Sequence, residues 1–413
     1  MRHALHVLTT AAAVLAASSL APQAARSAPS SVAAVKASCR EQALRCYDVR
    51  QVQRAYGLDR LHRAGIDGRD TTVAIVMSPS EMLADALGAQ SRRFGLAPAR
   101  LTVAEPAGDP GPAAGLAGAE GALDVQAVHA IAPRARLLYL AVPGAAVDGN
   151  VMADQALARA VDAAVAARAD VISMSFGAPE RRYPAFRAAL ARAARAGVPA
   201  FAGSGDDGVT TPGVRGQTTV YPAADPNVTA VGGTLLTLDA AGRRLAPDVA
   251  WGPDVGGASG GGISHLSPRP QWQRRLTGAT GRGRNYPDVS MLAAGSGGFI
   301  VFFPGTAAPI ANVSGNSVST PMMAGIAALA RQRAGRPLRN VNRAIYRLAR
   351  KPVRNGIVDV RIGSNSFSDA LDGRLTDGHL ITGYLAGPGY DRVTGLGTIT
   401  APRFVPALAR AAR

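Results

Sequence analysis

A few hydroxyl and carboxyl groups in this chain of 413 residues sit where they could do chemistry. Ser314-Gly315-Asn316-Ser317 ends a glycine-rich segment, and an apolar helical run follows Pro321. A hydroxyl held in a tight glycine turn at a helix N-terminus meets free backbone N–H groups and the positive end of the helix dipole. That setting suits a nucleophile whose product is an oxyanion, provided that acid–base partners exist elsewhere. Without them, the stretch is a Ser/Thr-rich helix cap with a nearby proline.

The partners are sought among the acids. Residues 119–131 contain Glu120 and Asp124 and no Lys or Arg. On a helix the two carboxylates are one turn apart and share a face with Ala127 and Ile131. Gln126 and His129 then mark the opposite side, which is expected to be the polar one. Exposed like charges at this spacing would cost about 0.2–0.5 kcal/mol for no gain. Buried, they must share a proton, which raises one pKa and makes a general acid/base pair. A third acid, Asp206, stands in Gly203-Ser204-Gly205-Asp206-Asp207-Gly208, directly after the apolar run 198–202. Carboxyl ends of strands in a parallel α/β sheet are where ligands bind. A plain Asp-Gly turn is the competing reading.

The elements that must hold these groups follow from hydrophobic patterning. Continuous apolar runs at 71–77, 136–142, 170–175 and 198–202 predict buried strands, and 151–168 and 184–196 predict helices between them. Residues 47–65 form a helical entry. Alternation of this kind means βαβ units and a central, mostly parallel sheet flanked by helices in an α/β fold. Between residues 209 and 308, Gly, Pro and short β-rich runs dominate, as in long functional loops. The tail, 363–397, is again loop-rich and holds several Asp.

A net charge of +17 arises almost wholly from scattered Arg, with Lys only at 36 and 351. With no aromatic interleaving, this predicts a solvated basic surface and no nucleic-acid partner. Residues 1–28 have the charged start, apolar middle and small-residue end of a secretory signal peptide. No later apolar stretch is long enough to span a bilayer, so a secreted monomer without a membrane anchor is expected. Residues 29–46 are a short extension whose Cys39 and Cys46 are expected to form a local disulfide in an oxidising compartment. Residues 47–413 form one catalytic domain.

The ordered set of motifs resembles the sedolisins, the serine-carboxyl peptidases of subtilisin-like fold. Glu120-x-x-x-Asp124, with Val125-Gln126 and residues 129–133, comes first. Ser204-Gly205-Asp206, Tyr221-Pro222-Ala223, residues 229–234 and Ser259-Gly260-Gly261-Gly262 follow. Tyr286-Pro287-Asp288-Val289-Ser290 and Ser314-Gly315-Asn316-Ser317 complete the set. The resemblance implies Ser317 as nucleophile, Glu120 as its general base and Asp124 as the group that orients Glu120 and shares its proton. Asp206 would be the oxyanion acid. It implies an acid optimum, because Asp206 can only donate when protonated. Ser259, Gly260, Gly261 and Gly262 would lie along an extended peptide or protein substrate.

The tail resembles the family's site for one structural Ca²⁺, with Asp369 and Asp391 as carboxylate ligands and the carbonyls of Ala370, Gly387 and Gly389. Asp372 and Asp377 compete for the role of Asp369. The chain departs from the family at Asn316, where Thr is usual, and at Ala370 and Leu371. It also shows no long propeptide between residues 28 and 47. Two other functions compete, and the first is disfavoured. An ordinary Ser-His-Asp subtilisin needs an Asp after the first strand, where Met77-Ser78-Pro79-Ser80 stands, and a His that His129 cannot supply. A catalytically inactive peptide- or protein-binding member of the fold is the second.

Overall fold

The computed structural model describes residues 31–112, 116–147, 151–212, 214–274, 276–293, 298–368 and 379–413. The proposed signal peptide, together with Asp369, Ala370, Leu371, Asp372 and Asp377, lies outside the described residues.

The predicted apolar runs form strands β1 (Thr72–Met77), β3 (Arg136–Ala141), β4 (Val171–Met174) and β5 (Ala200–Gly203). They are joined by β2 (Arg100–Ala104), β6 (Val228–Leu235) and β7 (Val289–Leu292). The order across the sheet is β7-β6-β5-β4-β1-β3-β2, with every neighbouring pair parallel. A short strand, Val249–Ala250, pairs antiparallel with the end of β6. Central strands are buried along nearly all their length, as a sheet covered on both faces requires, while the edge strand β2 exposes Arg100, Thr102 and Val103.

Two helices dominate one face. The acid helix, Leu116–Ile131, and the serine helix, Asn316–Ala334, pack against each other, with Leu83–Phe94 alongside the acid helix. Helices Asp154–Ala166 and Pro184–Ala196 pack together on the other face. The acid helix carries the chain from β2 to β3, and Asp154–Ala166 carries it from β3 to β4 in the same direction across the sheet. Being on opposite faces, these two crossovers have opposite hands. The acid helix is the exception to the right-handed rule.

The serine helix is buried at Asn316 and from Val318 to Ala330. It begins five residues before Pro321, earlier than the apolar run alone indicates, because the glycine turn at Gly315 already sets the first helical residues. Pro321 lies inside the helix and has no N–H to give the Ser317 carbonyl.

The acid helix corrects one expectation. Gln126 and His129 do not face solvent; both are fully buried, because Leu83–Phe94 and the hairpin of Phe299–Phe302 with Ile310–Val313 cover that side. The Gln126 amide behaves like a strand neighbour: Nε2 donates to the Phe302 carbonyl at 2.9 Å, and Oε1 accepts the Phe302 N–H at 2.9 Å. His129 Nε2 lies 3.1 Å from Ser91 Oγ.

Elsewhere, the Tyr286-Pro287-Asp288 stretch is scaffolding. Fully buried Asp288 pairs with fully buried Arg284 at 2.6 Å and accepts from Ala230 N–H and Tyr346 O–H. Cys39 and Cys46 are joined by a disulfide with their Cα atoms 6.2 Å apart.

The two dominant helices meet where a Cβ on Gly325 would lie 2.8 Å from Ile131 Cβ. Glycine there lets the backbones approach. Gly325→Leu is expected to cost about 1–3 kcal/mol through overpacking. Equilibrium urea unfolding measures this, and an unchanged midpoint would refute the close contact.

Candidate active site

Both helices start at the carboxyl edge of the sheet and run back antiparallel to the strands. Near the start of the acid helix, a Cβ on Gly121 would lie 2.1 Å from Tyr139 Oη of β3 and 3.1 Å from Ser80, just past β1. At the start of the serine helix, the Asn316 N–H meets Asp206, just past β5. Ser317 stands eight residues before the Gly325–Ile131 contact and Asp124 seven, so each is about 10–12 Å back along its helix from that crossing. Ser317 and Asp124 therefore come to one level at the same edge, with Glu120 one turn nearer the start of its helix.

The turn before Ser317 is built for close approach. Gly315 has φ of +123°, and a Cβ there would lie 2.8 Å from Asp206 Oδ2. No L-side chain fits both demands. Asn316 N–H donates to Asp206 Oδ1 at 2.7 Å. The Asn316 amide donates to Ser204 Oγ at 2.9 Å and to the Gly205 carbonyl at 2.6 Å, clamping the turn that carries Asp206. Ser317 is half-buried, between the fully enclosed Asn316 and Val318.

Burial pushes the Asp206 carboxyl up to about 6, against the opposing pull of the Asn316 N–H. Asp207 beside it is pushed up to about 7 by burial and by the Asp206 charge. Asp124 is fully buried, and burial, followed by the Glu120 charge, holds it well above the usual carboxylate range. One hydrogen bond works the other way: Ser175 Oγ donates to Asp124 Oδ1 at 2.6 Å. Glu120 is buried as well. Tyr139 is held far above its ordinary value by burial and by the charges of Asp124 and Glu120, and its hydroxyl donates to the Ser78 carbonyl. Buried carboxyls near a half-buried serine at a helix N-terminus are the groups that could move protons to and from a hydroxyl and donate to a developing oxyanion.

His129 is remote from this chemistry, engaged with Ser91. Within the Ser259–Gly262 run, the Ser259 hydroxyl is turned into the interior. Ser259 Oγ is fully buried, accepting the Gly233 N–H at 3.0 Å and donating to the Val393 carbonyl at 2.6 Å. Gly260 N–H donates to the Gly205 carbonyl at 2.7 Å. A Cβ on Gly260 would lie 1.9 Å from the Ser204 carbonyl, and one on Gly261 1.9 Å from the Arg392 carbonyl. Gly260, with Ala258 whose N–H donates to the Asp206 carbonyl at 2.7 Å, braces the Asp206 turn, whereas Ser259 ties β6 to the tail.

In the tail, Asp391 is buried and its carboxylate is oriented by its own loop. Oδ1 accepts N–H groups from Val393 at 2.8 Å and Thr394 at 2.7 Å, and Oδ2 accepts from Gly387 at 3.1 Å. The carbonyls of Gly387 and Gly389 accept no hydrogen bond among the described residues. No group of three or more His, Cys, Asp or Glu suited to a metal occurs among those residues. The three described members of the five still fit a hard cation: one fixed carboxylate and two uncommitted carbonyls, all oxygen.

Ser175, Tyr139 and the clamp role of Asn316 were not foreseen from the chain. Ser175 was within reach of the same rule that singles out Asp206, since it directly follows strand β4.

A profile of the subtilase family (Peptidase S8) matches residues 112–359. Kumamolisin of Bacillus sp. (strain MN-32) is 31% identical over 368 residues, covering 83% of this chain and 61% of that protein. Sedolisin of Pseudomonas sp. (strain 101) is 31% identical over 221 residues, covering 51% of this chain and 35% of that protein. The chain thus spans less than two thirds of the length of these relatives. The solved structure of a Pseudomonas sedolisin, described as a serine-carboxyl proteinase complexed with two molecules of pseudo-iodotyrostatin, superposes with a TM-score of 0.73 at 24% identity. That match covers 90% of this chain and 100% of the solved one, and establishes the subtilisin-like fold. The chain belongs to the subtilase family and, within it, to the sedolisins.

Proposed function

We propose that this protein is a secreted serine-carboxyl peptidase that hydrolyses peptide bonds at acidic pH. Ser317 attacks the peptide carbonyl, Glu120 takes the serine proton and passes it to the leaving amine, and water releases the acyl group. Asp124 shares the proton of Glu120. Asp206, protonated, donates to the oxyanion beside the first turn of the serine helix. The observation that carries this reading is the seat of Asp206: it lies against that turn, with its proton held up to about pH 6.

The pH dependence follows in sign. Protonated Asp206 donates and ionised Asp206 cannot, so turnover declines as pH rises through about 6. At the acid end, a second proton on the Glu120–Asp124 pair removes the base. Cleavage of a denatured protein between pH 3 and 8 is expected to peak on the acid side of 6, and Ser317→Ala to lose the activity. A neutral optimum rules out the carboxyl mechanism, and activity surviving in the Ser317 variant rules out the assignment.

Asp206 also links pH to stability. Its folded-state pKa lies above the unfolded value, so the native state binds its proton more tightly and loses stability as pH rises from about 4 to 6. Asp206→Asn removes this loss. Its advantage over wild type in urea unfolding should grow by on the order of 2 kcal/mol between pH 4 and pH 7.

We further assign a structural Ca²⁺ to the tail loop, held by Asp391 and the Gly387 and Gly389 carbonyls, with Asp369 and Ala370 completing the set. The ion would staple the loop to the domain and take no part in bond cleavage. Chelation is expected to lower the melting temperature and added Ca²⁺ to restore it; an unchanged melting curve counts against the site. Secretion rests on residues 1–28. Among the described residues, no helix is long and apolar enough to cross a membrane.

A further inference from the structure

Asp124 presents two oxygens to different surroundings. Oδ1 accepts the Ser175 hydroxyl at 2.6 Å. Oδ2 is buried and has no hydrogen-bond partner among the described residues. Glu120, one turn earlier on the same helix, and Tyr139, from β3, are the titratable groups that face it among those residues. Tyr139 stays neutral, and its hydroxyl donates a hydrogen bond to the Ser78 carbonyl. No Lys or Arg pairs with Asp124 among the described residues.

A hydroxyl that donates to one carboxyl oxygen makes protonation of that oxygen unfavourable, because the position is already occupied by a hydrogen. We propose that Ser175 is a positioning residue for the acidic pair: by donating to Asp124 Oδ1 it confines the shared proton to Oδ2. The proposal rests on the peptidase reading, and it adds a group at the end of β4 that fixes the protonation geometry of the pair. The proton then travels between Asp124 Oδ2 and Glu120 without the carboxyl having to rotate. Ser175 never touches the reacting atoms.

The test compares Ser175→Ala and Ser175→Thr with wild type. Removing the hydroxyl takes away the one hydrogen bond that favours ionised Asp124, so the pair holds protons to higher pH. Ser175→Ala is expected to lower kcat about tenfold, with KM within twofold, the loss of one hydrogen bond to a charged group. The acid limb of its pH profile should move up by about one unit, while the limb set by Asp206 stays in place. Ser175→Thr should restore both. A second readout needs no turnover: in the Ser317→Ala protein, adding Ser175→Ala should raise the titration midpoint of the Asp124 carboxyl carbon, followed by carbon-13 NMR. An unchanged midpoint, or a Thr variant that behaves like Ala, overturns the proposal. Wild type lacking Ser317-dependent turnover overturns the peptidase reading instead, and the NMR midpoint still decides the role of Ser175.

Discussion

Uncompensated desolvation of carboxyl groups is the constraint on which the rest depends. Asp124, Asp206 and Asp207 are all held above the usual carboxylate range, burial being the largest cause in each, and none forms an ion pair among the described residues. Asp288 shows what the same fold does with an acid needed only for structure. It is equally buried but is answered by Arg284, Tyr346 and a backbone N–H. Such a pair braces the chain, whereas burial without a neighbouring cation favours the protonated form of a carboxyl, which can then hand its proton over. Between Asp288 on one side and Asp124 and Asp206 on the other, the difference lies in the neighbouring cation rather than in the residue type.

Holding such acids requires an interior that excludes water, and the two dominant helices provide it. Both are buried along most of their described length, and Gly325 brings their backbones together. Glycine at 121 and 315 serves the same purpose at the mouth of the site, where a side chain would strike Tyr139 or Asp206. Ala258 and Gly260 support the Asp206 turn from behind. Function is therefore carried by backbone proximity as much as by the acids themselves.

Kumamolisin and sedolisin place the chain in its family, while its individual features modify the shared plan. Asn316 holds the turn through two side-chain donors, where a threonine has a single hydroxyl to give. The pull of Ser175 on Asp124 opposes the effect of burial, so the pair is tuned by one short contact from a neighbouring strand end.

Local relations were legible in the chain. Glu120 and Asp124 share a face because a helix returns after one turn. Asp206 was marked by its place after an apolar run, and the buried strands by their unbroken hydrophobicity. The same local logic failed at Gln126 and His129, since helical periodicity names two sides without saying what covers the second. Only the tertiary structure decided that Leu83–Phe94 and a distant hairpin enclose that side. It also decided that the acid helix crosses with the rarer hand to lie beside the serine helix, and that Ser259 turns inward. These outcomes depend on contacts between segments far apart in sequence, where packing rather than spacing determines which groups meet.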